Sequence, residues 1–169
     1  MRKLLATVAL VGTLMAPGSA EAQTPTTVGG AVAYHTDLEA LGIGAYVVIP
    51  MPQLHENISI NPNFIYYFPD IGSYWTLSGD VVYTFPVSAD TPVSPFALAG
   101  INVSRFSTGD ITIGTTTVSG ISSTDVGLNL GGGVAFPMES FTPVAGARFE
   151  IGDGNGFVLF GGVGFAVGG

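Results

Sequence analysis

Apolar and polar residues alternate along most of this chain with a period of two, the spacing of β-strands whose successive side chains point to opposite faces. The pattern is clearest in residues 58–68, where Ile58, Ile60, Pro62, Phe64, Tyr66 and Phe68 share one parity and Ser59, Asn61, Asn63, Ile65 and Tyr67 the other. Residues 75–85 set Trp75, Leu77, Gly79, Val81, Tyr83 and Phe85 against Thr76, Ser78, Asp80, Val82 and Thr84. Residues 126–136 and 141–151 alternate in the same way, with Asn129 and a run of glycines on the polar parity of the first and Arg148 and Glu150 on that of the second. Residues 28–34, 41–49 and 157–167 follow the pattern less fully.

An eighth stretch, 95–105, does not resolve, because Phe96 and Leu98 fall on one parity and Ile101 and Val103 on the other. A bulge near Gly100 would reconcile them, since glycine often marks bulges. Most stretches have the roughly 9–11 residues that a tilted strand needs to cross a bilayer.

Composition decides what these strands build. Charged residues make up 9% of the 169 residues, against roughly 25% in an ordinary soluble domain. Too little charge is available to cover a water-facing surface. Beyond the N-terminus no apolar run reaches the roughly 20 residues of a transmembrane helix, so the remaining solution in lipid is a closed barrel. The expected fold is all-β: an eight-stranded antiparallel up-and-down transmembrane barrel over residues 23–169. A soluble ligand-carrying barrel would put charge outside and apolar residues inside. Here the strongly apolar parity carries no charge in any stretch that reads clearly.

The first residues explain how such a chain reaches its membrane. Met1-Arg2-Lys3, an apolar run over residues 4–16, and Ala20-Glu21-Ala22 have the basic start, apolar centre and small-residue cleavage site of a secretory signal peptide. The expected leader is residues 1–22, with cleavage before Gln23. The net charge of −8 leaves only Arg105 and Arg148 as basic residues beyond the leader, which excludes a nucleic-acid partner. Cysteine is absent, which excludes disulfides, thiolate metal sites, a cysteine nucleophile and a lipoprotein anchor.

The connections suggest an orientation. Residues 50–56, 86–92 and 137–140 are short and mostly proline-bearing, whereas the connection from about 106 to 124 is longer and rich in Ser, Thr and Gly. Short periplasmic turns and longer external loops put the chain ends in the periplasm and the 106–124 loop outside. Asp153-Gly154-Asn155-Gly156 reads as a hairpin turn, with too few acids for a calcium loop. Tyr66, Tyr67, Phe68, Tyr74 and Trp75 at one end, and Phe85, Phe136 and Phe141 at the other, read as interfacial girdles.

On the leader, the alternating strands, the Pro95-Phe96-Ala97-Leu98-Ala99-Gly100 segment and the glycine-rich sixth and eighth stretches, the chain resembles the small outer-membrane β-barrels, OmpA-like and OmpX-like. The resemblance covers residues 23–169. It implies a monomer in contact with outer-membrane lipid and lipopolysaccharide, inserted with periplasmic chaperones and the barrel-assembly machinery, with no cofactor. One departure is the C-terminus. Family members end on an aromatic residue, and here Phe165 is followed by Ala166-Val167-Gly168-Gly169.

Chemistry is sparse. Barrels that modify lipid A carry a His with a Ser and an acid near the outer rim. His35, near Asp37 and Glu39, could take that part, but it reads more simply as a solvated loop residue; His55 lies in a periplasmic turn. The ionisable residues on inward parities, Asp80, Arg148 and Glu150, together with Asn61, Asn63 and Asn129, are expected to form a polar cluster in a lumen too narrow to be other than filled. Arg148 has two candidate partners, Asp80 across the lumen and Glu150 along its own strand. The function this points to is a non-enzymatic barrel with a structural or surface-interaction role. A lipid-modifying enzyme using His35 and a small-solute channel are the alternatives.

Overall fold

The computed structural model describes residues 25–168 apart from 89, 110, 114, 115, 153 and 154. The expected leader and half of the 153–156 turn lie outside the described residues. Ten strands occur in chain order: β1 (Thr26–His35), β2 (Ala40–Pro50), β3 (Ile58–Tyr67), β4 (Ser73–Thr84), β5 (Ser94–Ser107), β6 (Ile111–Ile113), β7 (Thr116–Val118), β8 (Ser122–Ala135), β9 (Thr142–Ile151) and β10 (Gly156–Val167). Eight of them close into an antiparallel barrel in the order β1-β10-β9-β8-β5-β4-β3-β2, while β6 and β7 form a separate hairpin within the longest loop. No helix occurs among the described residues. Closure pairs β1 with β10 from Thr26↔Val167 to His35↔Val158, so the barrel has no free edge.

The outward parity is apolar and open to the surroundings. Leu41, Ile43, Leu77, Val81, Leu128, Leu130, Phe149, Leu159 and Phe165 are all exposed, several by more than half of their surface. An aqueous surface could not carry a continuous apolar belt of this size. Lipid covers it, and closure of the strands into a ring leaves no sheet edge to be satisfied within the belt.

β5 resolves the ambiguous stretch, and without a bulge. Its pairing with β4 runs unbroken from Thr84↔Phe96 to Ser73↔Ser107, and its pairing with β8 from Ser94↔Ala135 to Ser107↔Ser122. Even-numbered residues face inward throughout, including Phe96 and Leu98. The expectation failed because it equated apolar with outward, and the interior at this end of the barrel is itself apolar. Arg105 takes the outward parity and is exposed at the rim.

One ladder is interrupted. β2 and β3 pair from Gly42↔Tyr67 to Tyr46↔Asn63 and again at Ile49↔Ile60, with no pairing between. Pro62 lies opposite this gap, and its missing N–H removes a ladder donor.

Loop lengths depart from expectation. One end of the barrel, here the terminal end, holds both chain ends and the connections 51–57, 85–93 and 136–141. The other, the loop end, holds 36–39, 68–72, 108–121 and 152–155, and three of these four are shorter than any connection at the terminal end. Prolines 52, 86, 92 and 137 all fall in the connections of the terminal end, where a proline cannot donate to a continuing ladder. At the loop end Gly72 adopts φ 79°, and a Cβ there would lie 2.5 Å from the Ser107 carbonyl oxygen, so that tight turn requires glycine.

Leu128 lies mid-strand on the lipid face, so Leu128→Arg is expected to lower the unfolding free energy in lipid vesicles by about 2–4 kcal/mol, whereas Arg at Thr124, on the same outward parity near the strand end, costs under about 1 kcal/mol. Urea titrations of the two variants measure the difference.

Candidate functional site

The polar residues of the inward parity meet in one layer across the middle of the barrel. β4 supplies Asp80, β3 Asn61 and Asn63, β5 Asn102, β8 Asn129, and β9 Arg148 and Glu150. Asp80, Asn129, Arg148 and Glu150 are each no more than 3% exposed. Asp80 accepts at both oxygens: Asn129 Nδ2 donates to Oδ1 at 2.8 Å and Asn63 Nδ2 to Oδ2 at 2.9 Å. Asn102 in turn donates to Asn129 Oδ1, and Asn63 Nδ2 also lies 3.2 Å from Asn61 Oδ1.

Arg148 closes the layer. Its Nη2 and Nε donate to Glu150 Oε1 at 2.7 and 3.0 Å, its Nη1 donates to Asn63 Oδ1 at 3.0 Å, and Asp80 Oδ2 lies 3.8 Å from Nη1. Of the two partners expected for Arg148, the neighbour along the strand makes the tight contact and the one across the lumen the looser one. The sequence missed Asn102, because the parity of its strand was unresolved.

His35 corrects the sequence reading most sharply. It is not a solvated loop residue: it is 2% exposed, inside the barrel. Its ring meets Tyr67 and Tyr74 edge-on, each at 5.6 Å between centroids. The Leu38 backbone N–H lies 3.4 Å from Nδ1, and Nε2 lies 3.9 Å from Glu150 Oε2. The signal was present in the chain, since Ala31, Ala33 and His35 continue one parity. Tyr74 is corrected with it. Expected in a girdle, it is 8% exposed and points inward, packed 5.6 Å from Tyr67. Even parity on β4 is the inward parity, and position near a strand end does not override it.

Tyr67, also expected in a girdle, is likewise inward and fully buried; the remaining aromatics named for girdles lie on the outer surface. Tyr66 and Phe68 pack together at 5.2 Å, and Trp75 stacks near Phe64 at 5.9 Å at the loop end. Phe85, at 5.3 Å from Tyr83, and Phe141 are exposed at the terminal end, where Phe136 is half-buried.

Inward glycines seat the large interior side chains. The Tyr46 ring lies against Gly29, Gly162 and Gly164, and Tyr67 against Gly42, where a Cβ would lie 2.7 Å from Tyr67 Cδ1. Below the polar layer, toward the terminal end, the lumen is not filled. A cavity of about 200 Å³ is bounded by Tyr46, Val82, Phe96, Leu98, Val144 and Phe160, with Asp80 and Arg148 at its inner end. The expectation of a lumen filled by side chains holds for the loop half only. The glycines and alanines of the terminal half leave space that no side chain occupies.

At the loop rim, Asp37 Oδ2 accepts from the Phe157 N–H at 3.2 Å and from Thr36 Oγ1 at 3.1 Å. The backbone donor, then the hydroxyl, hold the Asp37 carboxyl below its ordinary 3.8.

No protein-family model matches the chain, and no curated protein does. Solved structures do. The N-terminal β-barrel domain of Pseudomonas aeruginosa OprF superposes with a TM-score of 0.66 at 16% identity, covering 86% of this chain and 98% of that one. Neisserial surface protein A gives 0.61 at 16% identity, covering 84% and 96%. This chain has the fold of the small outer-membrane β-barrels. The outer-membrane enzyme PagL matches less closely, with a TM-score of 0.52 at 16% identity over 83% and 99% of the two chains. The same fold therefore serves enzymes and other proteins, and the site must decide between them.

Removing one member of a buried ion pair leaves an uncompensated charge. Arg148→Ala is expected to destabilise the folded barrel by about 3–5 kcal/mol, and the loss in Arg148→Ala/Glu150→Gln to fall well short of the sum of the single losses, as measured by unfolding in vesicles. A depressed carboxyl pKa stabilises above the unfolded value, and that stabilisation disappears as pH falls through the folded one. The Phe157 amide resonance is accordingly expected to titrate with a midpoint below 3.8, and to lose that transition in Asp37→Asn.

Proposed function

We propose that this protein is a non-enzymatic outer-membrane barrel with a structural or surface-interaction role, its lumen closed to solutes by the polar layer. One observation carries this reading: Asp80, Arg148, Glu150 and their asparagines span the lumen as a mutually paired, buried set. Charges in a narrow interior must be paired, and removing one partner leaves the other uncompensated, so the layer acts as a brace and a seal. The chain ends face the periplasm and the β6–β7 hairpin faces outward, where it is the largest element available to meet an external partner. Insertion follows removal of residues 1–22 and uses periplasmic chaperones and the barrel-assembly machinery. The protein acts as a monomer among outer-membrane lipid and lipopolysaccharide.

The lipid-modifying alternative draws on the likeness to PagL but finds little in the geometry. A nucleophilic site needs a hydroxyl bonded to a reachable histidine. His35 is enclosed by Tyr67 and Tyr74, and its Nε2 is directed at Glu150.

In planar bilayers the purified protein is expected to give no large, stable conductance, and cells expressing it are expected to show the same lipid A acyl pattern as cells expressing His35→Ala. Stable nanosiemens channels would overturn the seal, and a His35-dependent change in acylation would restore the enzyme reading.

A further inference from the structure

The outer wall at the loop end carries one unmatched cation. Of the two basic residues beyond the expected leader, Arg148 is buried in the polar layer. The other, Arg105, stands exposed on the lipid-facing parity and makes no ion pair among the described residues. Its cross-strand partner on β8 is Thr124. The acid that follows, Asp125, takes the inward parity and accepts from Ser123 Oγ at 3.1 Å, so it is turned away from Arg105.

The neighbours of Arg105 fix its depth. Across the two ladders it is level with Trp75 on β4 and Thr124 on β8. The next outward row toward the loops is all hydroxyl, with Ser73, Ser107 and Ser122 in register. The next row toward the belt is all apolar, with Leu77, Val103 and Val126 in register. A cation between a hydroxyl row and an apolar row, beside a tryptophan, lies at the level of the lipid headgroups. The loop end otherwise presents acids, among them Asp37 and Asp70, so an anionic headgroup meets attraction at this one place on the wall.

We propose that Arg105 anchors a headgroup site for a phosphorylated lipid of the leaflet around the loop end. With the loop end outward, as proposed above, that lipid is lipopolysaccharide and the group bound is a phosphate of its lipid A. The guanidinium fork pairs with two phosphate oxygens, a geometry an ammonium does not offer. The Thr124 and Ser122 hydroxyls stand on the next strand to donate to the same headgroup, and the acyl chains run down over Leu77, Val103 and Val126.

The test uses Trp75, the chain's single tryptophan and the cross-strand neighbour of Arg105. The folded protein is placed in vesicles of phosphatidylcholine brominated on its acyl chains, which quench tryptophan fluorescence on contact. Unbrominated lipid A carrying both its phosphates is then added in increasing mole fraction. Fluorescence is expected to recover further than dilution of the quencher explains, to saturate, and to report a preference over phosphatidylcholine of about tenfold. Lipid A stripped of its phosphates is expected to give dilution alone. Arg105→Gln is expected to abolish the excess recovery and Arg105→Lys to keep part of it, with Arg105→Glu replacing the first variant should it not fold. Recovery by dilution alone in the unmodified protein, or an excess that survives in folded Arg105→Gln, would overturn the site and leave the barrel reading standing. Absence of quenching before lipid A is added would overturn both, because the wall beside Trp75 would then not face lipid.

Discussion

Eight strands closed into a ring leave a lumen about as wide as two facing side chains, and at membrane depth no bulk water can satisfy what points into it. Each inward charge must therefore find its partner inside. Asp80, Arg148 and Glu150 do so by dividing the work with amides. Asn63 stands between the two charged groups, donating to Asp80 and accepting from Arg148. Asn129, relayed from Asn102, takes the second Asp80 oxygen. The layer ties β3, β4, β5, β8 and β9 together across the interior, in addition to the ladders that tie them edge to edge.

The rest of the interior is arranged around that layer. Toward the loop end the packing is aromatic, with His35 wedged between Tyr67 and Tyr74 beneath Leu38 and Phe106. Toward the terminal end the walls are smaller and the packing stops short, leaving the cavity. Glycines seat a ring in each half: Gly42 gives up its side chain to Tyr67, and Gly29, Gly162 and Gly164 theirs to Tyr46. The likeness to OprF and Neisserial surface protein A at 16% identity concerns the ring of strands, not this interior.

Much of this was legible in the chain, because the period of two assigns a face to each residue once a strand is located. Asn61, Asp80, Asn129, Arg148 and Glu150 fall on inward parities without any reference to three dimensions. Parity outranks position along a strand. His35 follows Ala31 and Ala33 in phase and is interior although a loop begins just after it, and Tyr74 is interior although it stands near a strand end. The parity of 95–105 stays open in the sequence because apolar residues stand on both faces there, and the ladder contains no bulge near Gly100. The cavity was not legible at all. It is a volume left between four or more strands, and no local pattern records how far facing side chains reach toward one another.

The central claim is that alternate residues of each strand face lipid and a sealed interior. Nitroxide labels placed singly from Thr76 to Val82, leaving Asp80 native, test it by collision with oxygen, which enters lipid, and with a water-soluble nickel chelate. Odd positions are expected to be open to oxygen and closed to nickel, and Thr76 and Ser78 closed to both. Nickel access at Thr76 or Ser78, or the loss of alternation along the strand, would contradict the account.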